Sequence, residues 1–141
     1  MSKMIFLNLP VGDLARSTAF YQAVGATKNA QFSDETASCM VLSDIIHVML
    51  LTRDKFRQFT PKRIADAKTT SEVLICLSAE SRDAVDDVVG KAAGAGGSPD
   101  PSPKQDFGFM YGRSFEDPDG HIWEVMWMDV EAATKAHSAT A

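Results

Sequence analysis

Three histidines, two cysteines and nineteen Asp or Glu residues are the side chains of this 141-residue chain that could ligate a metal or carry protons. No pair of histidines stands at the His-Glu-x-x-His spacing, and there is no Gly-x-Ser-x-Gly, dinucleotide fingerprint or Cys-x-x-Cys. Cys39 and Cys76 both lie inside apolar, strand-like runs and read as buried free thiols of a reducing compartment rather than as a disulfide. The acidic stretch Asp117-Pro118-Asp119-Gly120 is first of all a turn, because Pro presets φ and Gly accepts a positive one. Its length decides what faces the carboxylate of Glu124. A three-residue Pro-Asp-Gly loop with a bulge pairs Asp117 with His121 and sets Ser114 opposite Glu124, whereas a two-residue loop sets Arg113 there. The bulged form suits Pro-Asp-Gly, so Ser114 is expected to face Glu124 and Arg113 to lie on the other face.

The chain around these residues is 45% hydrophobic and 23% charged, with a net charge of -5, an ordinary soluble composition. Net acidity argues against nucleic acid as a partner, since phosphate affinity needs clustered positive charge. The basic residues Arg53, Lys55, Arg57, Lys62 and Arg63 read as a solvated connector, or else as the border of an anionic ligand, though no Gly-rich cradle accompanies them. No apolar run approaches the roughly 20 residues that span a bilayer, so membrane partners are not expected. The short N-terminal apolar stretch does not read as a signal peptide, and the expected location is the cytoplasm.

The elements that must position these groups appear in the same order twice. Met4 to Leu9 reads as a strand ended by Pro10. Asp13 then caps a helix over about Leu14 to Val24, which Gly25 ends. Strand-like pieces follow at Thr27 to Phe32, Ala37 to Leu42 and Ile46 to Thr52. Residues 53–70 form a polar connector with a short helix near Asp54 to Phe59. In the second half Glu72 to Leu77 reads as a strand. Ser81 caps a helix with an apolar stripe of Ala84, Val85, Val88, Val89, Ala92 and Ala93. Three prolines between Ser98 and Asp106 leave room only for a short or irregular strand. Strands near Gly108 to Phe115 and His121 to Met128 complete the second set, and the Ala-rich tail from Val130 reads as a helical turn that frays. The fold class is therefore α+β: one domain over residues 1–141, made of βαβββ module 1 (about 4–52), the connector, βαβββ module 2 (about 71–128) and the tail (129–141).

Asn8-Leu9-Pro10-Val11-Gly12-Asp13-Leu14 with Ser17, Phe20, Tyr21 and Gly25, and Phe115-Glu116-Asp117-Pro118-Asp119-Gly120-His121 with Trp123 and Glu124, resemble the hallmarks of the vicinal-oxygen-chelate superfamily. That superfamily includes glyoxalase I, bleomycin-resistance proteins and extradiol dioxygenases. The resemblance covers about residues 4–128 and implies cupped mixed sheets, a homodimer and, in catalytic members, one divalent metal held by four side chains. Carried over one at a time, those positions fall on Phe6, Leu50, Leu74 and Glu124, of which only Glu124 is a donor. A cation needs several His or carboxylate donors converging on it, so no cofactor is expected. Asn8 is two residues from Phe6 and Glu72 two from Leu74, so with Glu124 they would make an oxygen-rich trio suited to a weak divalent metal. His47 and His121, each three residues from a ligand position, are expected on the opposite faces of their strands.

Two readings follow. The leading one is a metal-independent protein binding a small organic molecule around Glu124, lined by Phe6, Asn8, Leu50, Glu72, Leu74, Arg113, Ser114 and Met126. The alternative is a divalent-metal-dependent lyase or isomerase resembling lactoylglutathione lyase. Whether chemistry occurs is left open, with Glu124 the candidate catalytic group.

Overall fold

The structure is a computed structural model that describes residues 2–140, with side chains through His137. The chain forms two compact units: one takes the residues up to Thr70 together with Pro118–Gly120, the other takes Ser71–Asp117 and the residues from His121.

In the first unit, β1 (Ile5–Val11), α1 (Leu14–Ala23), β2 (Thr27–Asn29), β3 (Ala37–Val41), β4 (Ile46–Thr52) and α2 (Arg53–Arg57) follow one another. The sheet order is β1-β4-β3-β2, with β1 parallel to β4. Asp13 caps α1 by accepting the Arg16 N–H at 3.0 Å, and Gly25 takes φ +112° beyond its C-terminus, both as the sequence predicts. Pro10 does not end β1. The strand runs two residues further than expected because β1 is an edge strand, where a missing N–H costs no ladder bond. The expected Thr27 to Phe32 strand stops at Asn29, whose side chain accepts the Gln31 N–H and starts a 3-10 turn over Ala30–Phe32.

One face of this sheet packs on α1. Leu9, Val11, Met40, Val48 and Leu50 join Phe20 and Tyr21 of the helix, all at most 7% exposed. The hydroxyls of Thr18 on α1 and Ser38 on β3 meet at 2.8 Å in this core, and Thr18 also donates to the Leu14 carbonyl, so both buried hydroxyls are satisfied.

In the second unit, β5 (Ile75–Ser78), α3 (Arg82–Gly94), β6 (Ser98–Pro99), β7 (Gln105–Asp106), β8 (Met110–Glu116), β9 (Ile122–Met128) and α4 (Val130–Thr140) follow in order. The sheet runs β5-β9-β8-β6, with β7 also on β8 and β5 parallel to β9. Ser81 caps α3 by accepting the Ala84 N–H at 3.0 Å. The α3 stripe buries Val85, Val89 and Ala92 completely, and the sheet's core side chains include Phe115, Trp123 and Val125. The proline-rich stretch yields two two-residue strands, β6 and β7, in place of one. β5 begins at Ile75, three residues later than expected, and the tail forms an eleven-residue helix rather than a turn.

Candidate functional site

The turn that joins β8 to β9 has the bulged form the sequence favours. Asp117 N–H donates to the His121 carbonyl at 2.9 Å, the His121 N–H donates to Asp117 Oδ1 at 2.8 Å, and Gly120 takes φ +98°. The register that follows sets Ser114 opposite Glu124 and Arg113 opposite Val125. On the other side of β9, Glu124 has Cys76 as its parallel neighbour. Side chains of one face therefore meet in a row: Cys76, Glu124 and Ser114, with Met126 and Gly112 one step along.

These residues line a groove of about 240 Å³, together with Ser102 and Pro103 of the segment between β6 and β7 and Gln105 at the start of β7. Gly112 leaves its middle open: a Cβ built there meets only ordinary contacts, the nearest at 3.8 Å. Ser114 is 2% exposed and accepts the Ser102 N–H at 3.2 Å, so it fixes the wall of the groove. Glu124 is half-buried, and its carboxylate makes no hydrogen bond or ion pair with another described residue. Partial desolvation of the sulfur, and then the charge of Glu124, push the Cys76 thiol above its ordinary pKa.

Arg113 borders the groove, yet its guanidinium is held away from Glu124. Nε and Nη2 donate to Asp100 at 3.0 and 2.7 Å and Nη1 to Asp86 at 2.9 Å, while the Tyr111 hydroxyl donates to the same Asp86 oxygen at 2.6 Å. Hydrogen bonds from Tyr111 and Arg113 lower the Asp86 pKa, and the bond from Arg113 lowers that of Asp100. Of the other second-unit candidates, Glu72 and Leu74 precede β5 and are exposed.

The remaining candidates lie in the first unit. Phe6 pairs in register with His47, and the two rings stack with centroids 4.5 Å apart. Asn8 pairs with Met49 on that same face and is exposed. Leu50 does not join them. It pairs with Leu9 and Ser38 on the α1 face and is wholly buried. The sequence assignment was one residue out of phase, which turns a side chain to the opposite face of a strand. His47 does lie opposite Leu50, as its odd spacing requires, and it therefore shares the face of Phe6. Its Nδ1 is buried and makes no hydrogen bond among the described residues.

Sequence reasoning missed Cys76, Ser102, Gln105 and Gly112. Cys76 was read as buried, but it is exposed on the edge strand β5; Cys39 is buried, and both thiols are free. The even spacing of Cys76 from Leu74 was the available signal, and it needed the pairing of β5 with β9 to acquire meaning. Among the described residues no three His, Cys, Asp or Glu side chains converge as a metal site. One carboxylate beside a thiol whose pKa is raised is a poor donor set for a hard divalent cation, so the residues of this groove do not fit the four-donor metal site that the sequence resemblance implies. What the groove offers instead is a single unpaired carboxylate among Met, Ser and Gln side chains, able to accept hydrogen bonds or balance a cation.

Comparison with known proteins agrees with this architecture. Among solved structures, the hypothetical protein SA1046 from S. aureus superposes with a TM-score of 0.75 at 26% identity, covering 90% of this chain and 94% of that one. A glyoxalase/bleomycin resistance protein/dioxygenase family enzyme from Burkholderia phytofirmans PsJN gives 0.72 at 16% identity, covering 90% and 99%. The genomically encoded fosfomycin resistance protein FosX from Listeria monocytogenes gives 0.66 at 19% identity, covering 93% and 97%. No curated protein matches the chain. No helix among the described residues is long and apolar enough to cross a membrane. The family profile described as the Glyoxalase/Bleomycin resistance protein/Dioxygenase superfamily matches residues 3–125, and the chain belongs to that superfamily.

Proposed function

We propose that this protein binds a compact organic molecule, cationic or rich in hydrogen-bond donors, in the groove around Glu124, and that it does so without a metal. The observation that carries this reading is the unpaired, half-buried Glu124 at the centre of a groove of about 240 Å³. A carboxylate partly withdrawn from water gains most from a partner that brings a positive charge or N–H groups. Met110 and Met126 give the groove adaptable apolar walls that suit a flat or aliphatic body. Exposed Ile5 and Phe6 in the first unit, and Val73 and Leu74 in the second, support a homodimer, since such side chains are the usual material of subunit contacts. The lack of a membrane-spanning helix among the described residues accords with action in the cytoplasm.

The test is a thermal-shift screen with small aromatic amines and amidines on the wild type, Glu124→Gln and Gly112→Val, alongside metal analysis of protein purified without chelator. A dose-dependent rise in Tm of about 2 °C or more, lost in both variants, is expected. A stoichiometric divalent metal that disappears in Glu124→Ala would overturn the metal-free reading and favour a lactoylglutathione-lyase-like lyase or isomerase. Size-exclusion chromatography with light scattering tests the homodimer.

A further inference from the structure

We propose that the cleft between α2 and the loop leading to Asp66 is a second binding site, for a small molecule carrying a phosphate or diphosphate group. The cleft has a volume of about 650 Å³, and Arg53, Arg57, Lys62 and Arg63 line it, with Asp66 the one acid among the described lining residues. That volume lies inside the range of about 300 to 1,000 Å³ usual for small-molecule sites. In a chain of net charge -5, four cations around one cavity run against the average, and without a counter-ion they repel one another.

The pairing pattern shows which cations are free. Arg57 is bound to Asp54 at 2.6 Å, on the surface. Arg53, Lys62 and Arg63 make no ion pair among the described residues. Asp66 is engaged with backbone: its Oδ1 accepts the Lys68 N–H at 3.0 Å, and its carbonyl accepts the N–H groups of Thr69 and Thr70. The cleft is also held in shape. Thr52 caps α2 by accepting the Lys55 N–H, and the Arg53 guanidinium lies against Gly12, where a Cβ would stand 3.2 Å from its Nη1 and 3.5 Å from Asp119 Oδ1, a neighbouring carboxylate with which Arg53 forms no ion pair. Beyond Asp66, Gly120 packs on the Ala67–Lys68 peptide, with 2.8 Å between its Cβ position and that backbone. Two free guanidinium forks and an ammonium on such a frame match the several oxygens and double charge of a phosphoryl group better than a single carboxylate. All of these residues belong to the first unit, so the site does not depend on the groove around Glu124.

Isothermal titration of the full chain with inorganic pyrophosphate at low ionic strength tests the proposal. One equivalent is expected to bind with a dissociation constant of about 1 mM or below. Lys62→Gln/Arg63→Gln should weaken binding about tenfold or more with the Tm of the unliganded protein unchanged, and Arg53→Gln should weaken it likewise. Asp54→Asn, which frees Arg57, should tighten it, and Glu124→Gln should leave it unaltered. Absence of saturable binding up to about 10 mM, insensitivity to the Lys62 and Arg63 changes, or loss in Glu124→Gln would each overturn the assignment. So would tighter binding of a short single-stranded oligonucleotide than of pyrophosphate, which would point to a nucleic-acid surface.

Discussion

The backbone N–H of Gly12 donates to Asp119 Oδ1 at 2.8 Å, joining two residues 107 positions apart. The other oxygen of Asp119 accepts the Ser17 hydroxyl at 3.0 Å, and Arg16 donates to the Pro118 carbonyl at 3.3 Å. The start of α1 and the acidic turn, the two stretches that carried the family resemblance, are therefore two halves of one hydrogen-bonded device. Asp119, 8% exposed, is a structural carboxylate that serves otherwise unsatisfied N–H and O–H donors at the helix start.

Removing that acceptor should be expensive. Asp119→Ala leaves the Gly12 N–H and the Ser17 hydroxyl without their bonds, and unfolding should cost about 2 to 4 kcal/mol less. Denaturant titration of Asp119→Ala beside wild type measures it. A loss under about 0.5 kcal/mol would show that water replaces the carboxylate.

Gly120→Ala should destabilise through a different cause. The residue holds φ +98°, and a Cβ would sit 2.8 Å from the Ala67 carbonyl carbon and the Lys68 nitrogen, neither of which is a flexible side-chain end. A loss of about 2 kcal/mol or more is expected, whereas Gly112→Ala, with nothing closer than 3.8 Å, should change stability by less than about 1 kcal/mol. Paired thermal melts distinguish the two.

Leu50 and Phe6 offer a direct check of strand register. Leu50 is wholly buried and Phe6 is 51% exposed, so for the chain at concentrations where it is monomeric Leu50→Ala should cost about 3 kcal/mol and Phe6→Ala less than about 1 kcal/mol. Equal losses would contradict the placement of Leu50 on the α1 face.

Acid stability should depend on Arg113. The Asp86 and Asp100 pKa values are lowered from 3.8 by its hydrogen bonds, with Tyr111 contributing first at Asp86. The Asp106 pKa is lowered from 3.8 to about 2, chiefly by its hydrogen bond from Arg82. Because the folded values are depressed, the stability these groups add is fully present above the unfolded pKa near 4 and is lost as pH falls through the folded values. Arg113→Met should cost about 1 to 2 kcal/mol at pH 7 and move the acid-unfolding midpoint upward. A midpoint unchanged under circular dichroism from pH 7 to pH 2 would refute it.

Cys76 reports on the groove without any ligand in hand. Being exposed, it should alkylate ahead of buried Cys39, but slowly, because partial desolvation of the sulfur against the sheet and the charge of Glu124 oppose its thiolate. Glu124→Gln removes one of those causes and should speed iodoacetamide labelling at pH 8 about two- to fivefold. Peptide mapping by mass spectrometry follows it, and an unchanged rate would separate the two side chains.

Much of this molecule was legible in the chain itself. Asp13 and Ser81 announced their helices, because an N-cap is satisfied by donors two or three residues away. The Pro118-Asp119-Gly120 turn fixed its own bulge, and with it the pairing of Ser114 with Glu124, since hairpin register follows from loop length. Cap, turn and stripe are local, and local sequence determines them. What the chain could not state alone was anything that depends on a partner strand. Pro10 stays in β1 because the sheet places it at an edge, Leu50 faces α1 because β4 pairs one residue out of the expected phase, and Cys76 meets Glu124 because β5 lies parallel to β9. A period of two residues names two faces but does not say which of them a remote element will cover; that is decided only when the strands and helices pack.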